Sequence, residues 1–276
     1  MSTSSPPLHP KPSFYIRPAR FSEQYRIAEV LTAAFWDDEL FGNIINPRRH
    51  EFPEDNKLYW LRQFQVNWWD WTHQYIVAVV QHEGKELVTG VALWERLGEE
   101  GRRKMAPKWW DPRSLLHPLA LSLTALLSTL SPNRASTPPL TRLLQTAAPY
   151  TSHLYTGPRS ESYYLASLGI DPLYQRSGQG RALVAWGMRA AASENVCASV
   201  VAGEGKVGFY RSCGFRVQEG WSGMGVGNPL GGVPGGECLW RDRGTWGEGE
   251  EGGRGEETGG KGKGVSVSVR VNEVEW

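Results

Sequence analysis

Hydrophobic and polar positions along this chain change rhythm several times, and each rhythm predicts an element. Phe14 to Arg17 is a short apolar-rich run and reads as a strand. Ser22, an N-cap residue type, then opens a stretch in which Tyr25, Ile27, Ala28, Val30, Leu31 and Ala34 recur at helical spacing, predicting a helix with one core-facing stripe. A second helical stretch follows Pro53 and carries Leu58, Trp60, Leu61, Phe64 and Trp68. Tyr75 to Val80 and Leu87 to Trp94 are β-rich runs separated by Glu83, Gly84 and Lys85, the signature of a hairpin.

From about residue 98 to residue 160 the rhythm breaks, and the stretch reads as an insertion: polar, then tryptophan-rich at Trp109 and Trp110, then apolar, then rich in Ser and Pro. Leu115 to Leu130 is uncharged, but His117 and Pro118 interrupt it and Ser and Thr dot it. It falls short of the ~20 apolar residues that a membrane span needs, so it reads as a buried or surface-packed helix. A strand resumes at Ser162 to Ile170, and a helix runs from Gly180 to about Glu194. Cys197 to Ala202 is a buried strand, Lys206 to Ser212 a short helix, and Phe215–Glu219 with Glu237–Arg241 a last strand pair. The order β-α-α-β-β-β-α-β-α-β-β implies a mixed sheet with helices on both faces. Residues 1–12 read as a disordered leader. Residues 244–276 form a Gly/Glu-rich tail with too little apolar surface to offset its ordering entropy, although Val265 to Val271 alternates as a half-buried strand would.

The remaining composition narrows the function classes. With 276 residues the chain can bury a full core, and a formal charge of +1 supplies no global field for nucleic acid or for an anionic membrane. Cys197, Cys213 and Cys238 are too scattered for a disulfide framework or a zinc site. No metal is expected, no membrane span is expected, and a reducing cytoplasmic or nuclear compartment is the simpler setting.

The chemistry concentrates in "DPLYQRSGQGRAL", between the strand ending at Ile170 and the helix starting at Gly180. Glycine lets backbone amides converge on one anion, and the helix N-terminus adds partial positive charge. Gln175, Arg176, Ser177, Gly178, Gln179, Gly180 and Arg181 therefore make a plausible diphosphate cradle, with the two arginines adding charge-assisted contacts. A Walker loop is excluded because no Lys-Ser or Lys-Thr is present, and a dinucleotide fingerprint is disfavoured by Leu183 at its third glycine position. The pattern Q/R-x-x-G-x-G/A is matched by Gln175, Gly178 and Gly180. Tight helix packing remains the bland explanation for the same glycines.

Downstream, "GFYRSCGF" ends at Phe215. Together, the strand and loop from Tyr163 and this second motif resemble those of the GNAT N-acetyltransferase superfamily. The resemblance extends over Ser13 to about Arg241, the insertion and tail excepted. It implies the GNAT fold, a mixed and mostly antiparallel sheet splayed at the cofactor strand, and an N-acetyltransferase using acetyl-CoA as co-substrate. In such an enzyme an amine attacks the thioester directly. The resemblance places the diphosphate on the amides of Arg176 to Arg181 and the pantetheine beside Leu168, Gly169 and Ile170. It makes Tyr210 the general acid toward the leaving thiolate. Glu204, Glu161 and His153 are candidate bases, with Glu204 favoured by its place after a strand. Gly203-Glu204-Gly205 departs from the asparagine that many members carry near this point, which leaves the pantetheine anchor open. Trp68, Trp69 and Trp71 could wall an acceptor pocket, with Trp109 and Trp110 capping it. The acceptor is expected to be a small-molecule or peptide amine. A non-catalytic acyl-CoA-binding module is the alternative.

Overall fold

The computed structural model describes residues 13–108, 110–111 and 113–246. The leader, the tail from residue 247 with its Val265–Val271 alternation, and Trp109 lie outside these residues. Among the described residues seven strands form one sheet: β1 (Phe14–Pro18), β2 (His73–His82), β3 (Lys85–Leu97), β4 (Ser162–Ile170), β5 (Cys197–Ala202), β6 (Val217–Trp221) and β7 (Glu237–Arg241). Their spatial order is β1-β2-β3-β4-β5-β7-β6, and only β4 with β5 is parallel. The β2–β3 hairpin turns on Glu83 (φ 50°) and Gly84 (φ 74°), the two successive left-handed residues that match the twist of paired strands.

Helices cover both faces. On one side lie α1 (Gln24–Ala34) and α2 (Pro53–Asn67), where Ile27, Val30, Leu31, Tyr59, Trp60 and Phe64 pack on Val77, Val79 and Val91. On the other lie α7 (Gln179–Glu194) and α8 (Val207–Ser212), over a core containing Trp94, Leu165, Leu183, Val184 and Phe215. Trp94 is fully buried, its Nε1–H donates to the Leu183 carbonyl at 3.3 Å, and a Cβ on Gly187 would fall 2.1 Å from its ring. The glycine is what lets α7 lie flat on the indole.

The chain joining β3 to β4 is helical: α3 (Glu99–Met105), α4 (Arg113–Leu130), α5 (Pro138–Thr141) and α6 (Leu143–Thr151). Among the described residues no helix is long and apolar enough to cross a membrane.

Local differences from the expected elements have local causes. Ser22 sits inside a 3₁₀ turn, Phe21–Glu23, rather than at an N-cap. Glu23 closes that turn, accepting from the Arg20 amide at 2.7 Å while Arg17 Nη2 donates to its other oxygen at 2.6 Å. With α1 beginning at Gln24, Tyr25 points outward and is 65% exposed, outside the core stripe. A π-helical turn, Glu39–Ile45, carries no sequence signature, and it starts where Asp38 Oδ1 accepts from the Leu40 and Phe41 amides.

Candidate active site

Strands β4 and β5 pair only from Ser162/Cys197 to Leu165/Val200. Beyond that point β4 stays bonded to β3 and β5 to β7, so the two strands part. A cleft of about 690 Å³ opens in the gap. Leu168 and Ile170 line it from β4, residues 174–181 from the loop and the start of α7, Val201 to Lys206 from the end of β5, and Tyr210 from α8.

The loop is shaped for backbone contacts. Asp171 closes its first turn by accepting from the Leu173 amide at 3.1 Å, and Arg26 Nη2 in α1 donates to the same carboxylate at 2.6 Å. Arg176 (φ 58°) and Gly178 (φ 93°) are left-handed, and Gly178 caps α7. The first amides of α7, on Gln179, Gly180 and Arg181, have no intrahelical acceptor, as at any helix start. Side chains mostly turn aside. Gln179 is buried, its Oε1 accepting from Thr89 Oγ1 at 3.0 Å, and Ser177 Oγ donates to the Tyr174 carbonyl at 2.6 Å. Gln175 Nε2 donates to the Ile170 carbonyl at 3.3 Å. Arg181 reaches α8, donating to the Ser212 carbonyl at 2.6 Å, so its charge is partly engaged there. Gly169 answers to packing rather than to the cleft: a Cβ there would stand 2.9 Å from Leu31 Cδ2 and 3.0 Å from Ala34 Cβ of α1.

Tyr210 is buried at the cleft wall, its ring edge-on to Phe209 and Phe215. Burial, with a smaller push from Cys213 and the Asp38 carboxylate, raises its phenol well above the usual value of 10. Glu204 is exposed at the rim. Opposite, the sequence reading missed a wall made by Phe35, Asp38, Glu39, Leu40 and Phe41. Phe35 stacks on Trp60 at 5.0 Å and meets Phe41 edge-on at 4.9 Å, which fixes the turn bearing Asp38. Asp38 Oδ2 lies 3.6 Å from where a Cβ on Gly203 would be. The only sequence hint was an acidic pair, Asp37-Asp38, directly after an apolar helix.

Other candidates sit elsewhere. His153 is exposed on a 3₁₀ turn and does not line the cleft. Trp68 and Trp71 line a separate groove with His73, Met105 and Trp186, and exposed Trp110 lies beneath the Lys108 ammonium. None of the three cysteines lines the cleft, and burial pushes the Cys238 thiol up to about 11.

Glu161 has a structural task. It accepts from the amides of Glu100 and Gly101 at 2.9 and 3.1 Å and pairs with the fully buried Arg96 at 2.8 Å. Burial would push its carboxyl up, but those amides and the guanidinium outweigh it and hold the pKa below 4.5. Stability from this group is therefore present above pH 4.5 and is lost as pH falls through the lower folded value. Glu161→Gln should flatten that acid limb in thermal melts at stepped pH and leave turnover unchanged. A large loss of kcat with normal melting would return Glu161 to the chemistry.

The sheet parts at its one parallel strand pair, and a glycine-shaped helix start faces the gap, the arrangement expected of the GNAT fold. Residues 146–215, spanning α6 to α8, match the family model described as the acetyltransferase (GNAT) family. Among solved structures, a Corynebacterium glutamicum protein described as histone acetyltransferase HPA2 and related acetyltransferase is 19% identical. The match covers 84% of this chain and 97% of that one, with a TM-score of 0.51. The two share the fold. Weaker overlaps are with arylalkylamine N-acetyltransferase 2 from Aedes aegypti (13% identity, 83% and 98% coverage, TM-score 0.45) and a GNAT acetyltransferase from Brucella melitensis solved with acetyl-CoA (15%, 74% and 83%, 0.37). Comparison with curated proteins yields no match.

Proposed function

We propose that this chain is an N-acetyltransferase that moves the acetyl group of acetyl-CoA to a small-molecule or peptide amine. The observation that carries the reading is the parting of β4 and β5 after Leu165, with Tyr210 and the start of α7 lining the resulting cleft. The residues present fit coenzyme A. The β4 edge from Ala166 to Ile170 has no β5 partner and can accept an extended amide chain as an added strand. The amides from Arg176 to Arg181, held open by left-handed Arg176 and Gly178, suit a diphosphate at a helix N-terminus.

The coenzyme supplies a thioester that an amine attacks. The protein's tasks are then to orient, to take one proton and to give one. Tyr210 is the donor toward the leaving sulfur. A thiol ordinarily titrates at ~8.5, below a phenol, so a buried phenol acts first as a hydrogen-bond donor to the thiolate. The same apolar surroundings raise the thiol and the phenol alike, so their order is kept: Tyr210 stabilises the leaving thiolate by donating a hydrogen bond, and the thiolate takes its proton finally from solvent. On the acceptor side, Asp38 and Glu204 are the carboxylates flanking the end of β5. Asp38 is the better placed of the two, because the Leu40 and Phe41 amides fix its Oδ1 and its charge reaches Tyr210. Phe35, Leu40 and Phe41 beside it suit an amine with an apolar body.

Calorimetric titration with acetyl-CoA and thiol release with a panel of amines test the reading. Binding without thiol release for any amine would mark a non-catalytic acyl-CoA-binding module, and no heat at all would end the reading. Asp38→Asn should lower kcat/KM about 100-fold near neutral pH, with partial recovery in alkaline buffer as free amine accumulates. Glu204→Gln should cost less than threefold. The reverse order would make Glu204 the base.

A further inference from the structure

The near-neutral sum of the chain conceals a local excess. Between residues 98 and 160 stand eight Lys and Arg against three acids, Glu99, Glu100 and Asp111; Lys104, Arg134 and Arg159 are paired with Glu100, Asp55 and Asp242. The same stretch holds α4, and six of its leucines face outward. Leu119, Leu121, Leu123, Leu126, Leu127 and Leu130 are exposed, Leu119 at 61% and Leu130 at 73%. The half-buried residues are Leu116 and His117 in the first turns and then Ala120, Thr124 and Ser128, small or polar residues spaced four apart along one face. This helix packs on α2, where Arg62 donates to the Leu127 carbonyl at 3.4 Å and to the Ser131 carbonyl. Ser128 Oγ returns its hydrogen bond to the Thr124 carbonyl at 2.7 Å. A helix that only needed to complete the core would be turned the other way, with its leucines inside.

Charge decides what can cover those leucines. A second copy would set two basic segments against each other, and like charges across an interface are costly. An anionic bilayer satisfies both features, because leucines enter the headgroup–acyl boundary while Lys and Arg meet the phosphates. Arg102, Arg103, Lys108 and Arg142 are exposed on either side of α4 in the chain. We propose that α4, lying in the plane of the interface with the basic residues that flank it in the chain, is a peripheral docking surface for anionic phospholipid membranes. It does not depend on the acetyltransferase reading.

Co-sedimentation of the full chain with vesicles provides the test, comparing phosphatidylcholine alone with phosphatidylcholine containing about a third phosphatidylserine. The protein should pellet with the mixed vesicles and much less with the neutral ones. Leu119→Ser/Leu123→Ser/Leu126→Ser should lower binding at least tenfold with an unchanged melting temperature, and Arg102→Gln/Arg103→Gln should weaken binding and its salt dependence. Absence of binding to mixed vesicles, or equal binding by the triple variant, would overturn the proposal. So would self-association in solution that the triple variant abolishes, without vesicle binding, since a second copy would then be the occupant.

Discussion

Tyr210→Phe is expected to lower kcat by about 100- to 1,000-fold, within the range for removing a positioned acid, while the affinity for acetyl-CoA changes less than threefold. The substitution deletes one oxygen and keeps the ring that packs on Phe209 and Phe215. A fall in kcat therefore reports chemistry rather than collapse of the wall. The pH profile adds an independent readout. Burial raises the phenol above its usual value of 10, so Tyr210 remains protonated through neutral and mildly alkaline pH. A proton donor loses function only as pH rises through its own pKa. The wild-type alkaline limb attributable to this residue should lie above pH 10, and acetyl transfer should persist to the limit of protein stability. If Tyr210→Phe keeps wild-type turnover with saturating amine, Tyr210 has no part in the mechanism and its burial serves the core alone.

Trp94→Ala should destabilise the protein by about 3–5 kcal/mol, the range for removing a large aromatic side chain from a core. Trp94 is fully buried, donates to a carbonyl of α7 and fills the space that Gly187 leaves. Its loss removes the floor beneath the helix whose N-terminus shapes the loop. Coenzyme affinity should therefore weaken together with stability, although residue 94 does not line the cleft. Gly187→Ala tests the same contact from the opposite side. Alanine favours helix by ~1 kcal/mol, but its methyl would sit 2.1 Å from the indole, so overpacking by about 1–3 kcal/mol or more should prevail. Denaturant unfolding with both variants checks the pair. Stability of Gly187→Ala at or above the wild-type level would show that the indole has room to move.

How far the sequence reached can be judged at individual residues. The strand Ser162–Ile170 and the helix after Gly178 were legible, because each rests on local rules, apolar runs and glycine's access to left-handed backbone, whereas the parting of the two strands was implied by the family resemblance. The splay is present, yet Gly169 owes its identity to Leu31 and Ala34 of α1, a contact 135 or more positions away. Arg181 looked like a phosphate ligand from its position and is bonded to Ser212. Glu161 looked like a base and proves to hold Arg96 and the start of α3. The tryptophans at 68 and 71 suggested an acceptor pocket, and the chain carries them to a different groove.

The order of strands and helices, the left-handed glycine loop and a tyrosine on the short helix just before Gly214-Phe215 were determined by the sequence alone. Each depends on neighbours within a few positions, where backbone sterics and hydrophobic period act directly. The tertiary structure alone decided that Asp38 faces the end of β5, that the wall of the cleft is Phe35 and Phe41, and that α4 shows six of its leucines to the outside. Those outcomes depend on which distant surfaces compete for the same space. Side-chain period shows that a helix has two faces, but only the packed neighbours select which of them is covered.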